Sequence, residues 1–187
     1  MSNGLIRRLK ERIQSEPTVD VELHFGPFCP PIRPRPPVSE QTLAEAEARL
    51  EFPLPPLVRA LYTQVADGGY GPGYGVTQLT GHPYALVESR LRMDEQNLRM
   101  DEENVPEWVW PKRLVQFVNW GCQYFSGIDC SNPCCPVFFY DNDRAGEDTT
   151  LADCLSIESD SLEEWLSAWL DGEDLWERGK RRRGLHR

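Results

Sequence analysis

The chain has 187 residues, of which 40% are hydrophobic and 27% charged, and its formal net charge is −10. This length accommodates about one domain, large enough to fold around its own core without disulfides or metals. Six of the 20 Lys and Arg residues lie in residues 178–187, so residues 1–177 carry 14 basic residues against 30 acidic ones. An acidic body repels nucleic acid and attracts basic partners. We therefore expect a protein partner and no nucleic-acid binding.

The N-terminal residues do not resemble a secretory signal. Residues 1–15 mix aliphatic side chains with five charged ones, which is an amphipathic pattern and not an apolar signal core. No run of 18 apolar residues occurs, so we expect no membrane span. Without a secretory signal, the six cysteines are expected to be reduced thiols, as in a cytoplasmic protein.

Residues 1–38 predict an N-terminal helix followed by a proline-rich connector. Leu5, Leu9 and Ile13 recur at helical spacing within residues 3–14, and residues 21–25 alternate like a half-buried strand. Residues 27–37 contain six prolines, which disfavour both helix and sheet pairing. This stretch is predicted to be an extended linker.

The compact domain is predicted to begin at Ser39. One helix follows this polar cap, and a second begins at Pro56 and ends at Gly68 and Gly69. Residues 70–75 predict a tight loop and residues 76–79 a short strand. Residues 84–104 have a polar helical pattern that contains a tandem duplication of seven residues, 91–97 and 98–104. Two heptads are too few for a coiled coil, so we interpret them as a helix extension.

The rest of the chain alternates β-prone segments with turns. Strands are predicted at residues 113–119, 123–128 and 137–140, and a further edge strand or loop within residues 149–157. An amphipathic helix follows a cap at Asp160 or Ser161 and ends near Leu170. Residues 177–187 predict a basic disordered tail.

Three blocks of motifs in this order resemble the SUKH superfamily, the Smi/Knr-type domain. The first block is a helix, a Leu54-Pro55 turn, a second helix and a double-glycine turn. The second runs from Val118-Asn-Trp-Gly121 to Pro136-Val-Phe-Phe-Tyr140, and the third is the helix Leu162-Glu-Glu-Trp165-Leu166. The resemblance spans about residues 39–176. It implies a single α+β domain with an antiparallel sheet flanked by helices.

The resemblance also implies a function without catalysis. The superfamily includes toxin-immunity proteins and scaffolds of cell-wall and signalling networks, and it has no recognised catalytic centre or cofactor. We therefore expect an immunity protein that covers a basic bacterial toxin domain by shape and charge. A stand-alone scaffold or regulatory domain without a toxin partner is the alternative.

Candidate contact residues are acidic side chains on predicted surface, together with aromatic residues that favour interface hot spots. The predicted partner-binding residues are Asp67, Tyr70, Tyr74, Glu88, Asp94, Glu95, Asp101, Glu102, Trp110, Asp129, Asp141 and Asp143.

A zinc-binding module is a third interpretation, because Cys122, Cys130, Cys134 and Cys135 lie close together in the sequence. The spacing contains no CxxC pair, and adjacent cysteines point in different directions, so free thiols are favoured over a metal site. The glycine-rich loop at 68–75 follows a helix and lacks the Gly-Lys-Ser/Thr ending of a phosphate loop. We interpret it as a structural turn.

Overall fold

The computed structural model describes residues 3–15, 33–103, 105–122 and 124–182. The strand predicted at residues 21–25 and residues 27–32 of the predicted linker lie outside this part of the chain.

Among the described residues the protein has seven α-helices and one four-stranded sheet. The helices are α1 Asn3–Ser15, α2 Glu40–Leu50, α3 Pro56–Ala60, α4 Leu86–Glu102, α5 Leu151–Cys154, α6 Leu162–Leu170 and α7 Leu175–Arg182, with a π-helical turn at Leu61–Val65. The strands are β1 Leu114–Gly121, β2 Tyr124–Asp129, β3 Val137–Tyr140 and β4 Leu155–Ser159. Two 3-10 turns lie at Pro106–Trp108 and Asn142–Arg144.

Serine side chains cap the N-termini of two helices at the positions that the sequence predicts. The backbone N–H of Thr42 donates to the Ser39 hydroxyl at 3.1 Å at the start of α2. The N–H of Glu164 donates to the Ser161 hydroxyl at 3.1 Å at the start of α6. Each bond satisfies a backbone donor that has no partner within the helix.

The four strands pair in the order β1-β2-β3-β4, antiparallel throughout. Successive side chains of a strand point to opposite faces, so the register assigns each residue to a face. Val115 pairs with Ile128, which pairs with Val137, and these three form the centre of the inner face. The prediction of one α+β domain with a flanked antiparallel sheet is confirmed.

The main core lies between the inner face of the sheet and the helices. It contains Leu43 of α2, Leu61 of the π-helical turn and Trp165 of α6, each at most 1% exposed. The N-terminal helix contributes Leu5 and Leu9 to the same core, and α1 contacts α6. The predicted appendage before the linker is therefore packed onto the domain.

The glycine turn after α3 is held by close backbone contacts. Gly68 and Gly69 have φ values of 71° and 76°, a region that favours glycine. A Cβ atom on Gly69 would lie 2.2 Å from the carbonyl oxygen of Arg33. Because residues 33–38 cross so near the turn, its glycines serve the fold, as predicted.

Three local predictions differ from the structure. Residues 76–79 form only an isolated bridge between Val76 and Val118, where a strand was predicted. Residues 149–157 contain a short helix, α5, that was not predicted, and the predicted edge strand follows it as β4, beginning at Leu155. The tail predicted to be disordered from residue 177 is helical as far as Arg182, because Leu175 is buried at 3% exposure and docks α7 on the core.

Candidate partner-binding surface

A second apolar cluster covers part of the outer face of the sheet. The ring of Trp110, 8% exposed, lies with its centroid 5.7 Å from that of Phe125 and 5.2 Å from that of Tyr140. Leu114 and Leu151 complete the buried part of the cluster. These side chains attach the segment between α4 and β1 to the sheet.

Asn97 fixes the backbone of Trp110. The Trp110 N–H donates to the Asn97 side-chain oxygen at 2.8 Å, and the Asn97 side-chain nitrogen donates to the Trp110 carbonyl at 3.0 Å. An asparagine amide can replace a backbone pairing partner in this way because it offers one donor and one acceptor. The pair joins α4 to the second apolar cluster.

Four elements near this cluster contact one another in series. Helix α4 contacts the turn Pro106–Trp108, this turn contacts α5, and α5 contacts the turn Asn142–Arg144. Arg92, Arg99 and Arg144 are exposed or half-exposed within these elements, but carboxylates outnumber them. We call the following exposed or half-exposed carboxylates the acidic edge: Asp94, Glu95, Asp101, Glu102, Glu107, Asp143 and Asp153.

Hydrogen bonds hold two of these carboxylates in place. The Thr150 side chain and backbone N–H both donate to Asp153, and these bonds lower the pKa of its carboxyl group below the ordinary value. The Tyr124 hydroxyl donates to Asp143, and this bond raises the pKa of Tyr124 to about 12. The carboxylate of Asp153 therefore stays ionised and the phenol of Tyr124 stays neutral near pH 7.

Leu98 lies at the centre of the α4 part of the acidic edge. Its side chain is 66% exposed, the largest exposure among the large hydrophobic residues of the described chain. Residues three and four positions away share its helix face. At this spacing the neighbours are Asp94, Glu95, Asp101 and Glu102. An exposed apolar side chain among four carboxylates is suited to a partner that has an apolar contact surrounded by basic groups.

The sequence model of the SMI1 / KNR4 family (SUKH-1) matches residues 37–168, more than half of the chain. The chain belongs to this family. The family covers toxin-immunity proteins and Knr4 regulators. No curated protein matches the chain. The predicted resemblance to the SUKH superfamily is thus confirmed, and α7 lies beyond the matched region of this SUKH domain.

Five of the predicted contact residues lie on the acidic edge of the SUKH domain: Asp94, Glu95, Asp101, Glu102 and Asp143. Of these, Asp94 also pairs with the buried guanidinium of Arg90. The series of contacts described above links α4 to the turn that contains Asp143, although about 40 residues separate them in the sequence.

Three predicted contact residues are buried, so their predicted surface position is wrong. Tyr70 is 2% exposed under the glycine turn, and Trp110 is 8% exposed within the second apolar cluster. Asp141 is 7% exposed, accepts from the N–H of Asp143 at 3.2 Å and lies 3.4 Å from Arg144. Asp141 therefore holds the turn that contains Asp143, and Trp110 packs between α4 and the sheet, so both have structural contacts instead of exposed positions on the acidic edge.

The remaining predicted contact residues lie away from the acidic edge, and three of them have structural partners. Asp67 accepts from the N–H of Leu79 at 2.7 Å, which ties the end of the π-helical turn to the chain before α4. Glu88 accepts from Arg49 at 3.0 Å, and Asp129 accepts from the N–H of Ser131 at 2.8 Å. Tyr74 is half-buried in the glycine turn.

Sequence reasoning missed Leu98, Glu107 and Asp153. Leu98 occupies the same heptad position as Leu91, so its pattern predicts a core side chain. Glu107 and Asp153 lie in segments predicted only as loop or edge strand. The charges were visible in the sequence, but no local signal indicates which of them the fold gathers.

The described cysteines are free thiols. Cys122 and Cys134 are exposed, whereas Cys130, Cys135 and Cys154 are buried. Burial raises the pKa of all three buried thiols, that of Cys135 to about 12. Within the described ranges no three His, Cys, Asp or Glu side chains come together as a metal site. The zinc alternative therefore has no ligand set in this part of the chain.

No helix in the described ranges is both long enough and apolar enough to cross a membrane.

Proposed function

We propose that this SUKH domain is an immunity protein that binds a basic toxin domain through the acidic edge and Leu98. The single observation that carries the proposal is the exposure of Leu98 among four carboxylates of α4. Apolar anchors surrounded by polar side chains are typical of binding hot spots. The protein acts by covering the toxin and performs no reaction.

The charge distribution supports a basic partner. The turn Pro106–Trp108, α5 and the turn Asn142–Arg144 extend the negative surface of α4 by adding Glu107, Asp153 and Asp143. Opposite charges on two proteins accelerate their encounter and fix their relative orientation. A basic nucleic-acid-degrading or membrane-active toxin domain has the complementary charge. Steric cover of its active surface would then neutralise it.

The second apolar cluster supports the same surface as a stable platform. Asn97 holds Trp110, and Trp110 packs on the sheet through Phe125 and Tyr140. A rigid surface loses less conformational entropy on association than a mobile one. The acidic edge is therefore preorganised along much of its length.

The experiment begins with the gene next to the one that encodes this chain, because an immunity gene is expected beside a toxin gene. The toxin domain encoded there is purified, and its dissociation constant with this chain is measured at low and high salt. We expect Leu98→Ala and Glu102→Lys each to weaken binding about tenfold or more. Co-expression of the wild-type chain is expected to protect cells from the toxin, and that of either variant to protect less.

Glu45→Lys is the matched control for Glu102→Lys. Glu45 is exposed on α2 and accepts a hydrogen bond from Gln41, so its replacement changes the net charge equally without altering the acidic edge. Equal weakening by both charge reversals would show that only the total charge matters. Binding that does not respond to salt or to Leu98→Ala would exclude the acidic edge, and the absence of any neighbouring toxin gene would favour the regulatory alternative.

A further inference from the structure

The C-terminal helix α7 lies outside the region matched by the SUKH family and contacts the inner side of the sheet near the β1-β2 hairpin. Leu175 is its only contribution to the main core among the described residues. A turn precedes it, in which Gly172 has a φ of 85° and a Cβ atom would meet nothing within 4 Å. Helix α7 is thus joined to α6 by a short connection, residues 171–174.

Trp176 of α7 inserts among three aromatic side chains of the sheet. Its ring centroid lies 5.5 Å from that of Trp120, 5.8 Å from that of Tyr124 and 5.7 Å from that of Phe139. We call Trp120, Tyr124 and Phe139 the aromatic cleft. Tilted and edge-to-face contacts at these distances are favourable for aromatic pairs.

A buried polar chain lies behind the aromatic cleft. The Trp120 indole N–H donates to the Ser126 hydroxyl at 2.7 Å, and this hydroxyl donates to the Glu158 carboxylate at 2.7 Å. Glu158 is only 4% exposed. These hydrogen bonds orient the Trp120 ring, so the cleft is shaped by the sheet and not by α7 alone.

Basic side chains of α7 lie over the acidic surroundings of the cleft. Arg178 pairs with Glu173 at 3.1 Å and with Glu164 at 3.4 Å, and Arg178 and Arg182 both donate to the backbone carbonyl of Glu158. The sequence of α7 has four basic residues against one acidic residue. It therefore has the composition of a basic ligand docked on an acidic protein.

We propose that the aromatic cleft is a second binding site, for a basic helical segment with one aromatic side chain, and that α7 is its displaceable intramolecular occupant. Leu175 and Gly179 of α7 are buried, and the helix is otherwise attached by the insertion of Trp176 and by the hydrogen bonds and ion pairs of Arg178 and Arg182 described above. Leu175 is the one side chain that the described part of α7 adds to the main core, and a segment with so small a share of the core opens more readily than the whole domain. A partner segment of the same chemistry then replaces α7.

The tether explains why such a site stays closed without a partner. A segment held by a short connection has an effective concentration in the millimolar range. An external segment binds only the open fraction of molecules, so its apparent affinity falls by that fraction. The aromatic cleft adjoins the acidic edge where Tyr124 donates to Asp143, but it does not include Leu98 and does not depend on the proposed immunity function.

The test uses a synthetic peptide that copies Asp171–Arg182, titrated into the full-length chain. In Trp176→Ala the intramolecular helix loses its anchor, so the peptide is expected to bind about tenfold more tightly than it binds to the wild-type chain. Adding Tyr124→Ala to Trp176→Ala is expected to remove this gain, because the second substitution deletes one of the three aromatic side chains that the peptide tryptophan contacts. A peptide with alanine in place of its tryptophan is expected not to bind.

Trp108→Ala is the matched control, because Trp108 is also a half-buried tryptophan but packs on the outer face of the sheet. If Trp176→Ala does not fold, Arg178→Gln releases α7 without removing an aromatic side chain, and a severalfold gain in peptide affinity is expected. Equal peptide affinity of the wild-type, Trp108→Ala and released variants would overturn the proposal and make α7 a fixed part of the fold. Leu98→Ala is expected to leave peptide binding unchanged, so failure here is distinguishable from failure of the acidic edge.

Discussion

The two heptads that begin in α4 have nearly the same sequence, but their described residues have different surroundings. In the first, residues 91–97, Leu91 is half-buried against the main core and Asn97 fixes the backbone of Trp110. In the second, residues 98–104, Leu98 is 66% exposed and Asp101 lies in solvent. The difference arises because Leu91 packs on the main core and Met93 on the second apolar cluster, whereas no described side chain of the second heptad belongs to either cluster. A duplicated segment can thus be structural in one copy and available for binding in the other.

Replacing Asp94 should lower stability more than any other substitution compared here, and replacing Asp101, at the same position of the second heptad, should not. The guanidinium side chain of Arg90 is 1% exposed and pairs with Asp94, whereas the residue four positions before Asp101 is Asn97. Removing one partner of a buried ion pair leaves an uncompensated charge. We expect Asp94→Ala to lower the free energy of unfolding by about 3 kcal/mol. This value is the lower end of the range for breaking a buried ion pair, because the Asp94 side chain is half-exposed.

Asp101→Ala is the control for this substitution and is expected to change the free energy of unfolding by less than about 0.5 kcal/mol. Urea denaturation followed by circular dichroism measures both values. Equal destabilisation by the two variants would contradict the conclusion that Asp94 and Asp101 have different surroundings.

Asn97→Ala is expected to have the next largest effect. The substitution removes both hydrogen bonds to the backbone of Trp110 and leaves that N–H and carbonyl without their partner in a nearly buried segment. Loss of such bonds costs about 2 kcal/mol of unfolding free energy. Gln96→Ala, at an exposed position of the same helix, serves as the control. Hydrogen exchange of the Trp110 amide should accelerate in Asn97→Ala alone, and an unchanged rate would contradict its proposed role.

Much of the fold followed from patterns within single segments. The helices at residues 3–14 and 161–170 and the strand at 137–140 were predicted close to their observed bounds, because each has an unbroken periodicity and a clear cap or turn. Residues 76–79 were predicted as a strand from a local pattern, but the segment forms a single β-bridge, from Val76 to Val118 of β1. The pairing partner of a short segment is a property of the fold.

The candidate surface was predictable in charge but not in arrangement. Glu95 and Glu102 were selected correctly as exposed acids, whereas Asp141 has the same chemistry and is buried beneath a turn. The basic composition of residues 177–182 favoured disorder, yet Leu175 and Trp176 dock this segment. In both cases a tertiary contact outweighed the local composition, which no single-segment pattern reveals.

Leu91→Ala and Leu98→Ala give the smallest expected effects and the sharpest comparison, since the two residues occupy the same heptad position. Leu91 is half-buried against the main core, so its truncation should lower the free energy of unfolding by about 1–2 kcal/mol. Leu98 already contacts solvent over most of its surface, so Leu98→Ala should change it by less than about 0.5 kcal/mol. A clear loss of stability in Leu98→Ala would mean that this side chain is held by the protein's own residues. Stability unchanged together with lost partner affinity would instead place the function of Leu98 in binding, because a side chain that contributes nothing to folding has its effect only where a partner covers it.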